Sequence, residues 1–408
     1  WVILSFISSL PFYLHFEKLS LIASIFEAIS GLTTTGATVF GGLDQMSKGI
    51  LIWRALLQWI GGMGILVLTI AILPLLGVGG MQVFRAEASG PMKDKKLTPR
   101  IAETAKALWA IYFILTLFCI LFYWVAGMSL FDAIAHAFTT ISIGGLSTHD
   151  QSFGYFNNPL IEIIAIFFMI VAGMNFTLHF SAVRNMSFSM YWKSLENRCF
   201  LFVLFFGLVI TFLSLYPLDQ ETHFLDKFRT VAFNVISIAT TTGYATYDYG
   251  QWPPIAFSIM LLLSCFSTCS GSTGGGVKMI RVIIMFKQAG RELSRTMHPH
   301  AIIPLSIGET TVANKVVLAV LAFMFFYLVT LLVTLFLLMA TGLSAGTALS
   351  ASLACLNNLG PALFELGPTS NYGTLSEFQL LILSVAMLLG RLELLTIFVF
   401  FSGAFWKK

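Results

Sequence analysis

Ser237-Ile-Ala-Thr-Thr-Thr-Gly-Tyr-Ala-Thr246 is the stretch whose reading decides the fold. Small hydroxylated residues and one glycine stand there between two strongly apolar segments, Phe200 to Tyr216 and Pro253 to about Arg281. Hydrocarbon offers backbone N–H and C=O groups no partner. Non-helical backbone at membrane depth therefore survives only where protein covers it or where it lines a watery cavity.

The pattern recurs three more times, as Thr34-Thr35-Gly36-Ala37, Ser142-Ile143-Gly144-Gly145 and Asn358-Leu359-Gly360-Pro361. One such turn alone is ordinary in a polar loop. Four in phase, each flanked by apolar spans, make an internal repeat of about a hundred residues, room for two membrane helices and a re-entrant segment. Carbonyls lining a cavity can replace the water around a cation, and Thr-Thr-Gly-Tyr has the composition of a potassium filter. One strand cannot surround an ion; four can. Glycine reaches φ > 0 at little cost and so can turn successive carbonyls toward one axis.

Of 408 residues, 57% are hydrophobic and 10% charged, which makes the chain a polytopic membrane protein. The five cysteines, Cys119, Cys199, Cys265, Cys269 and Cys355, are scattered through apolar segments with no His at metal-site spacing, and they read as packing residues. No paired Asp motif, HExxH or Ser/His set at common depth supports an intramembrane enzyme.

The expected fold is an all-α polytopic membrane protein of four repeats in one orientation, each a helix, a pore helix, a filter strand and a second helix around a central pore. The first repeat is expected over 1–80, with pore helix Leu19 to Gly31 and second span Trp53 to Leu76. Trp1 to His15 is too short to cross the bilayer, and the start of its span is expected upstream. A basic connector follows at 81–106. The second repeat, 107–183, has spans Ala107 to Val125 and Pro159 to Phe180 about a pore helix at Leu130 to Thr140. A connector at 184–198 leads to the third repeat, 199–281, with pore helix Leu225 to Ala239. A connector at 282–315 precedes the fourth, 316–408, with spans Val316 to Ala340 and Leu375 to Trp406.

The connectors and tail, counting Lys278 and Arg281 with the third, hold 17 of the 23 Lys and Arg, which puts that side in the cytoplasm and the filters outward. Repeats in one orientation build a central pore, whereas many secondary carriers use inverted pairs. Pore helices would aim their partly negative C-termini at the axis, favouring a cation. Asp44, Asp150, Asp248, Glu365 and Glu377 lie on the outer side, either as ordinary solvated acids or as a cation-concentrating mouth.

These repeats, with Trp53-Arg-Ala-Leu-Leu-Gln-Trp-Ile-Gly-Gly-Met-Gly64, Ala71-Ile-Leu-Pro-Leu-Leu-Gly-Val-Gly-Gly80, Ser142-Ile-Gly-Gly-Leu-Ser-Thr-His-Asp150 and Cys269-Ser-Gly-Ser-Thr-Gly-Gly-Gly-Val-Lys278, resemble the bacterial Trk branch of the Trk/Ktr/HKT potassium transporters. The likeness covers essentially the whole chain. It implies potassium uptake across the bacterial inner membrane, a homodimer with one pore per subunit, and a cytoplasmic TrkA-type nucleotide-binding regulatory ring. It implies K⁺ as the transported ion and no organic cofactor. Members of this branch usually begin with two further helices. The family's filter positions fall on Thr34, Thr35 and Gly36; Ser142, Ile143 and Gly144; Thr241, Thr242 and Gly243; and Asn358, Leu359 and Gly360. With one glycine per strand, discrimination against Na⁺ is expected to be weaker than in channels with Gly-Tyr-Gly.

Gly271-Ser272-Thr273-Gly274-Gly275-Gly276 interrupts the third repeat's second span. It fails as a phosphate loop, because Val277 separates the last glycine from Lys278. A helix kink is one reading; an intramembrane gating loop, at 270–276, is what the resemblance implies. Arg391, in mid-span, is costly unless it faces protein or water. It either pairs with loop carbonyls or projects into the pore beneath the filter, the role the resemblance supports. Glu393 lies two residues on and so faces elsewhere. The competing function is a K⁺ symporter driven by H⁺ or Na⁺, for which Glu162 and Glu393 are the visible titratable candidates.

Overall fold

Each quarter of the chain repeats one order of elements: a helix, a short buried helix, an irregular segment, here called the strand, and one or two further helices. The structure, a computed structural model, describes residues 1–76, 97–215, 223–308, 310–401 and 406. The first quarter holds α1 (Val2–His15), α2 (Leu21–Leu32) and α3 (Lys48–Leu76). The second holds α4 (Leu97–Val125), α5 (Leu130–Ile141), α6 (Pro159–Gly173) and α7 (Phe176–Arg184), and the short α8 (Ser189–Lys193) follows. The third holds α9 (Leu195–Leu215), α10 (Phe224–Ala239), α11 (Pro254–Phe266) and α12 (Met279–Met297). The fourth holds α13 (Asn314–Ala340), α14 (Ala345–Leu356), α15 (Glu377–Arg391) and α16 (Leu394–Phe401).

The pore helices α2, α5 and α10 lie close to where the sequence puts them, α14 is their counterpart in the fourth quarter, and serine caps start three of the four. Ser20, Ser129 and Ser344 accept hydrogen bonds from the N–H groups of Ala23, Asp132 and Thr347 at 3.2, 3.1 and 3.3 Å, occupying donors that a first turn leaves open. α10 starts at His223 without a side-chain cap. All four are buried over their C-terminal halves.

Among the described residues, three helical segments are long and apolar enough to span a membrane: Thr104–Val125, Leu195–Leu215 and Asn314–Ala340. α6 and α7 together make a fourth, bent by 93°. Leu318, Phe325 and Phe336 of α13 are more than 60% exposed, a surface that suits lipid and not water. The cores beneath such faces join neighbouring quarters: Phe233 and Tyr244 of the third pack with α4 to α6 of the second, and Ala23, Phe26 and Ile29 of the first pack with α14 and α15 of the fourth.

Several expected spans need correction. The span Pro159 to Phe180 is bent at Gly173, whose carbonyl accepts the Cys269 N–H at 3.0 Å, so the bend accommodates the third quarter's loop. The second quarter begins at Leu97 and not at Ala107. The region 282–315 is no plain connector: α12 runs to Met297, and Ser306–Ile307 pairs antiparallel with Thr310–Thr311. Leu375 to Trp406 is broken at Leu392 and Glu393, the latter at φ 61°. Arg85, Lys93, Lys95 and Lys96 of the first connector, the end of the motif closing at Gly80, and Lys407 and Lys408 lie outside the described residues.

Candidate ion pathway

The C-caps of the four pore helices, Thr33, Ser142, Thr240 and Asn357, set a common register. The next residue in each has left-handed backbone: Thr34 (φ 53°), Ile143 (54°), Thr241 (63°) and Asn358 (55°). For β-branched Thr and Ile this costs of order 1–3 kcal/mol each and persists only where surroundings over-determine it. Here the following N–H groups, of Thr35, Gly144, Thr242 and Leu359, each reach five residues back, to the carbonyls of Ser30, Thr139, Ser237 and Ala354 at 2.8–2.9 Å. Backbone like this, repeated four times in a buried place, points to function.

That register corrects the second strand. Gly145 (φ 74°), not Gly144, is the counterpart of Gly36 (84°), Gly243 (88°) and Gly360, while Gly144 stands with Thr35, Thr242 and Leu359. Ser142 is a helix cap like Thr33, not the counterpart of Thr34. Two adjacent glycines left the choice open in the sequence; the cap decides it.

The four strands close into a ring. A Cβ on Gly36 would lie 2.1 Å from the Gly144 carbonyl oxygen, one on Gly145 1.8 Å from that of Thr242, one on Gly243 2.7 Å from Pro361, and one on Gly360 2.6 Å from that of Gly36. Strands one, two, three and four thus touch in cyclic order. Among the described residues, the carbonyls of Thr34, Thr35, Thr241, Thr242, Asn358 and Leu359 accept no hydrogen bond, although all six residues are buried. Unmatched buried carbonyls are costly, and so many around one ring form a polar lining able to take a desolvated cation. In the second strand the Gly144 carbonyl accepts Gln58 Nε2 at 2.6 Å, and in the fourth the Gly360 carbonyl accepts the Tyr372 hydroxyl at 3.0 Å. Asn358, the strand residue that departs most in type, donates its amide to Thr35 Oγ1 at 3.0 Å and to the Met387 carbonyl at 2.9 Å.

Gly271 to Gly276 lies directly against the pore-helix ends. The Gly275 N–H donates to Thr241 Oγ1 at 2.9 Å, and a Cβ on Gly275 would lie 1.8 Å from the Asn357 carbonyl oxygen. Thr273 Oγ1 donates to the carbonyl of Ile141 at 3.0 Å. From the fourth quarter, Arg391 Nη1 donates to the Thr273 carbonyl at 2.8 Å, and Nη2 to that of Gly61 at 3.4 Å. Loop and arginine therefore form one contact: Arg391 binds a loop carbonyl, as one of its two expected roles has it, and lines a cavity together with Asn358, Gly275 and Ser272.

Two basic residues expected in the third connector belong here instead. Lys278 and Arg281 line the same cavity. Lys278 Nζ donates to Ser272 Oγ at 3.3 Å and to the Gly274 carbonyl, and Arg281 pairs with Glu393 while lying 3.9 Å from the centre of the Phe323 ring. Counting charges along the chain cannot separate a solvated lysine from one folded under a loop. Arg291, also placed in that connector, is buried and donates to Asn314 Oδ1 at 3.0 Å. Sequence reading also missed Glu27, buried in α2 and paired with Arg54 at 2.8 Å, and Gln58, which reaches the second strand. Arg54 and Gln58 carry a signal: they are the only charged or amide side chains in Trp53-Arg-Ala-Leu-Leu-Gln-Trp-Ile.

Residues 1–408 match the TrkH family, described as a cation transport protein. The chain is 47% identical over 410 residues to the Trk system potassium uptake protein TrkH of Halomonas elongata, a match spanning 100% of this chain and 84% of that protein. With the protein of the same name from Escherichia coli (strain K12) it shares 44% over 410 residues, with the same coverage. The crystal structure of the potassium transporter TrkH from Vibrio parahaemolyticus superposes with a TM-score of 0.91 at 42% identity, over 100% of this chain and 84% of that one. It is a transporter and not an enzyme: the chain belongs to the TrkH family of cation transport proteins.

Proposed function

We propose that the chain takes up K⁺ through a channel-like pore whose filter is the ring of four strands, in the register Thr34 to Gly36, Ile143 to Gly145, Thr241 to Gly243 and Asn358 to Gly360. The observation that carries this is the set of buried carbonyls around the ring without protein donors. The relatives named above are potassium uptake proteins, which selects K⁺ among cations. Residues Gly271 to Gly276 with Arg391 form the barrier beneath the filter, joined by Lys278 and Arg281. Three positive charges against the single carboxylate of Glu393 oppose a cation there, at an energy that a low dielectric enlarges.

A symporter needs a carboxylate free to take up and release a proton or Na⁺ within the pathway. The candidates are engaged: Glu162 with Arg229 at 2.9 Å, Glu393 with Arg281, and Glu27 with Arg54. In this reading the filter side faces outward in the bacterial inner membrane, two chains form a homodimer, and a TrkA-type ring docks on the cytoplasmic side. Phe286, Leu293 and Met297, at least 69% exposed along α12, suit a protein partner beside Arg295. The test is the reversal potential of the purified protein in liposomes under K⁺ and H⁺ gradients. A channel-like pore follows the K⁺ Nernst potential at every proton gradient; a potential that moves with the proton gradient contradicts the proposal.

A further inference from the structure

Six residues before each pore-helix C-cap stand Glu27, His136, Asn234 and Ala351. The first three are polar and at most 1% exposed, an expensive placement unless each is matched. Each reaches a hydroxyl on its own strand just beyond the ring glycine. Thr38 Oγ1 donates to Glu27 Oε2 at 3.0 Å, and the Val39 N–H donates to the same oxygen at 3.0 Å. His136 Nε2 pairs with Ser147 Oγ at 3.0 Å. Asn234 Nδ2 donates to Thr246 Oγ1 at 2.9 Å, and the Thr246 N–H returns to Asn234 Oδ1 at 3.3 Å. In the fourth quarter Ala351 cannot bond, and its neighbour Ser350 takes over, accepting from the Leu363 N–H at 3.3 Å.

We propose that these four buried tethers are positioning residues of the filter, which fix how far each strand's carbonyls stand from the axis and thereby set the preference for K⁺ over Na⁺. The inference rests on the filter reading above. Each tether joins the pore helix, anchored at its C-cap, to the arm of the strand that leaves the ring. The strand is then held at both ends of its carbonyl run. Selectivity in a carbonyl filter depends on how firmly the ligands hold their spacing and field. The chemistry of the tethers differs from quarter to quarter. Hydrogen bonds to an ionised group are roughly twice as strong as neutral ones. The carboxylate of Glu27, held by Arg54 Nε at 2.8 Å, makes the first strand the stiffest, and the single hydroxyl of Ser350 makes the fourth the most yielding.

The experiment compares K⁺ over Na⁺ permeability ratios in liposomes for the parent chain, Asn234→Leu, Thr246→Val and Gly243→Ser. Asn234→Leu removes both bonds of the third tether, and its ratio should fall roughly fivefold, the size of one buried hydrogen bond, with K⁺ flux near the parent's. Thr246→Val keeps shape and the N–H bond, so a smaller fall in the same direction is expected. Should Asn234→Leu fail to fold, the near-isosteric Thr246→Val decides alone. Parent ratios in the tether variants, with a changed ratio in Gly243→Ser, would leave the filter standing and overturn the tethers. An unchanged ratio in Gly243→Ser would remove the filter reading, and the tethers with it.

Discussion

Arg391 donates through Nη1 to the backbone carbonyl of Thr273 at 2.8 Å, across 118 residues of sequence. The contact ties the fourth quarter to the glycine-rich loop of the third, and in the proposed function the side chain holds that loop beneath the filter and adds its charge to the same place. On that proposal, removing Arg391 frees a loop carbonyl and lifts a positive barrier together. Arg391→Ala and deletion of Gly271 to Gly276 should each raise K⁺ flux through liposomes. The double change should add little to the larger single effect, because contacting groups that form one barrier are not additive. Parent-level flux in both folded single variants would place the barrier elsewhere.

The second strand offers a sharp comparison between adjacent glycines. A Cβ on Gly144 would meet the side chain of Gln58 at 2.3 Å, whereas one on Gly145 would meet the backbone oxygen of Thr242 at 1.8 Å at φ 74°. A side chain can move and a neighbouring strand cannot. Gly145→Ala should therefore lower thermal stability and K⁺ selectivity, with roughly 1–2 kcal/mol from left-handed backbone alone, and Gln58→Ala should not rescue it. Gly144→Ala should be substantially restored by Gln58→Ala. Equal behaviour of the two glycines in thermal unfolding and flux would contradict the register.

Glu27 and Arg54 form an ion pair with side chains 0% and 2% exposed. Breaking such a pair strands a buried charge, so Arg54→Met should cost roughly 3–5 kcal/mol, and the double variant with Glu27→Gln should recover much of that loss. Thermal unfolding in detergent reads both. A double variant as unstable as Arg54→Met would show that Arg54 acts through packing, including its stacking 5.5 Å from the Phe40 ring centre.

Beyond the strands, Asp44 of the first quarter meets His149 of the second, Oδ1 to Nδ1 at 2.5 Å. The histidine hydrogen bond holds the Asp44 carboxyl below its usual 3.8. A carboxyl depressed in the folded state contributes stability that is fully present above its unfolded value and is lost as pH falls through the folded one. Asp44→Asn should therefore lower the unfolding temperature near neutral pH and converge with the parent only below the ordinary carboxylate range. A difference that persists unchanged in strong acid would assign Asp44 a role independent of its charge.

The four pore helices were legible because an apolar segment and a small-residue turn fall in one order in each repeat. The loop was legible too, since glycines between apolar segments cannot continue a helix cheaply. What escaped was set at long range. The bend at Gly173 lies in Ile170-Val-Ala-Gly-Met174, which reads as uninterrupted span; the Cys269 N–H, 96 residues away, supplies its reason. Lys278 and Arg281 follow a glycine run at the inner end of a span, where a sequence gives cytoplasmic lysines the same appearance. Glu27 sits alone in an apolar helix, and its partner Arg54 arrives from another.

Whether the ring of strands binds K⁺ is tested most directly by anomalous diffraction from crystals of the chain grown in Rb⁺ or Tl⁺, which substitute for K⁺ and scatter strongly. The account predicts a peak inside the ring bounded by Gly36, Gly145, Gly243 and Gly360, lost when K⁺ replaces the heavier ion and weakened in Gly243→Ser. Transport-competent protein whose crystals show no ion in that ring, or an ion bound only elsewhere, would contradict it.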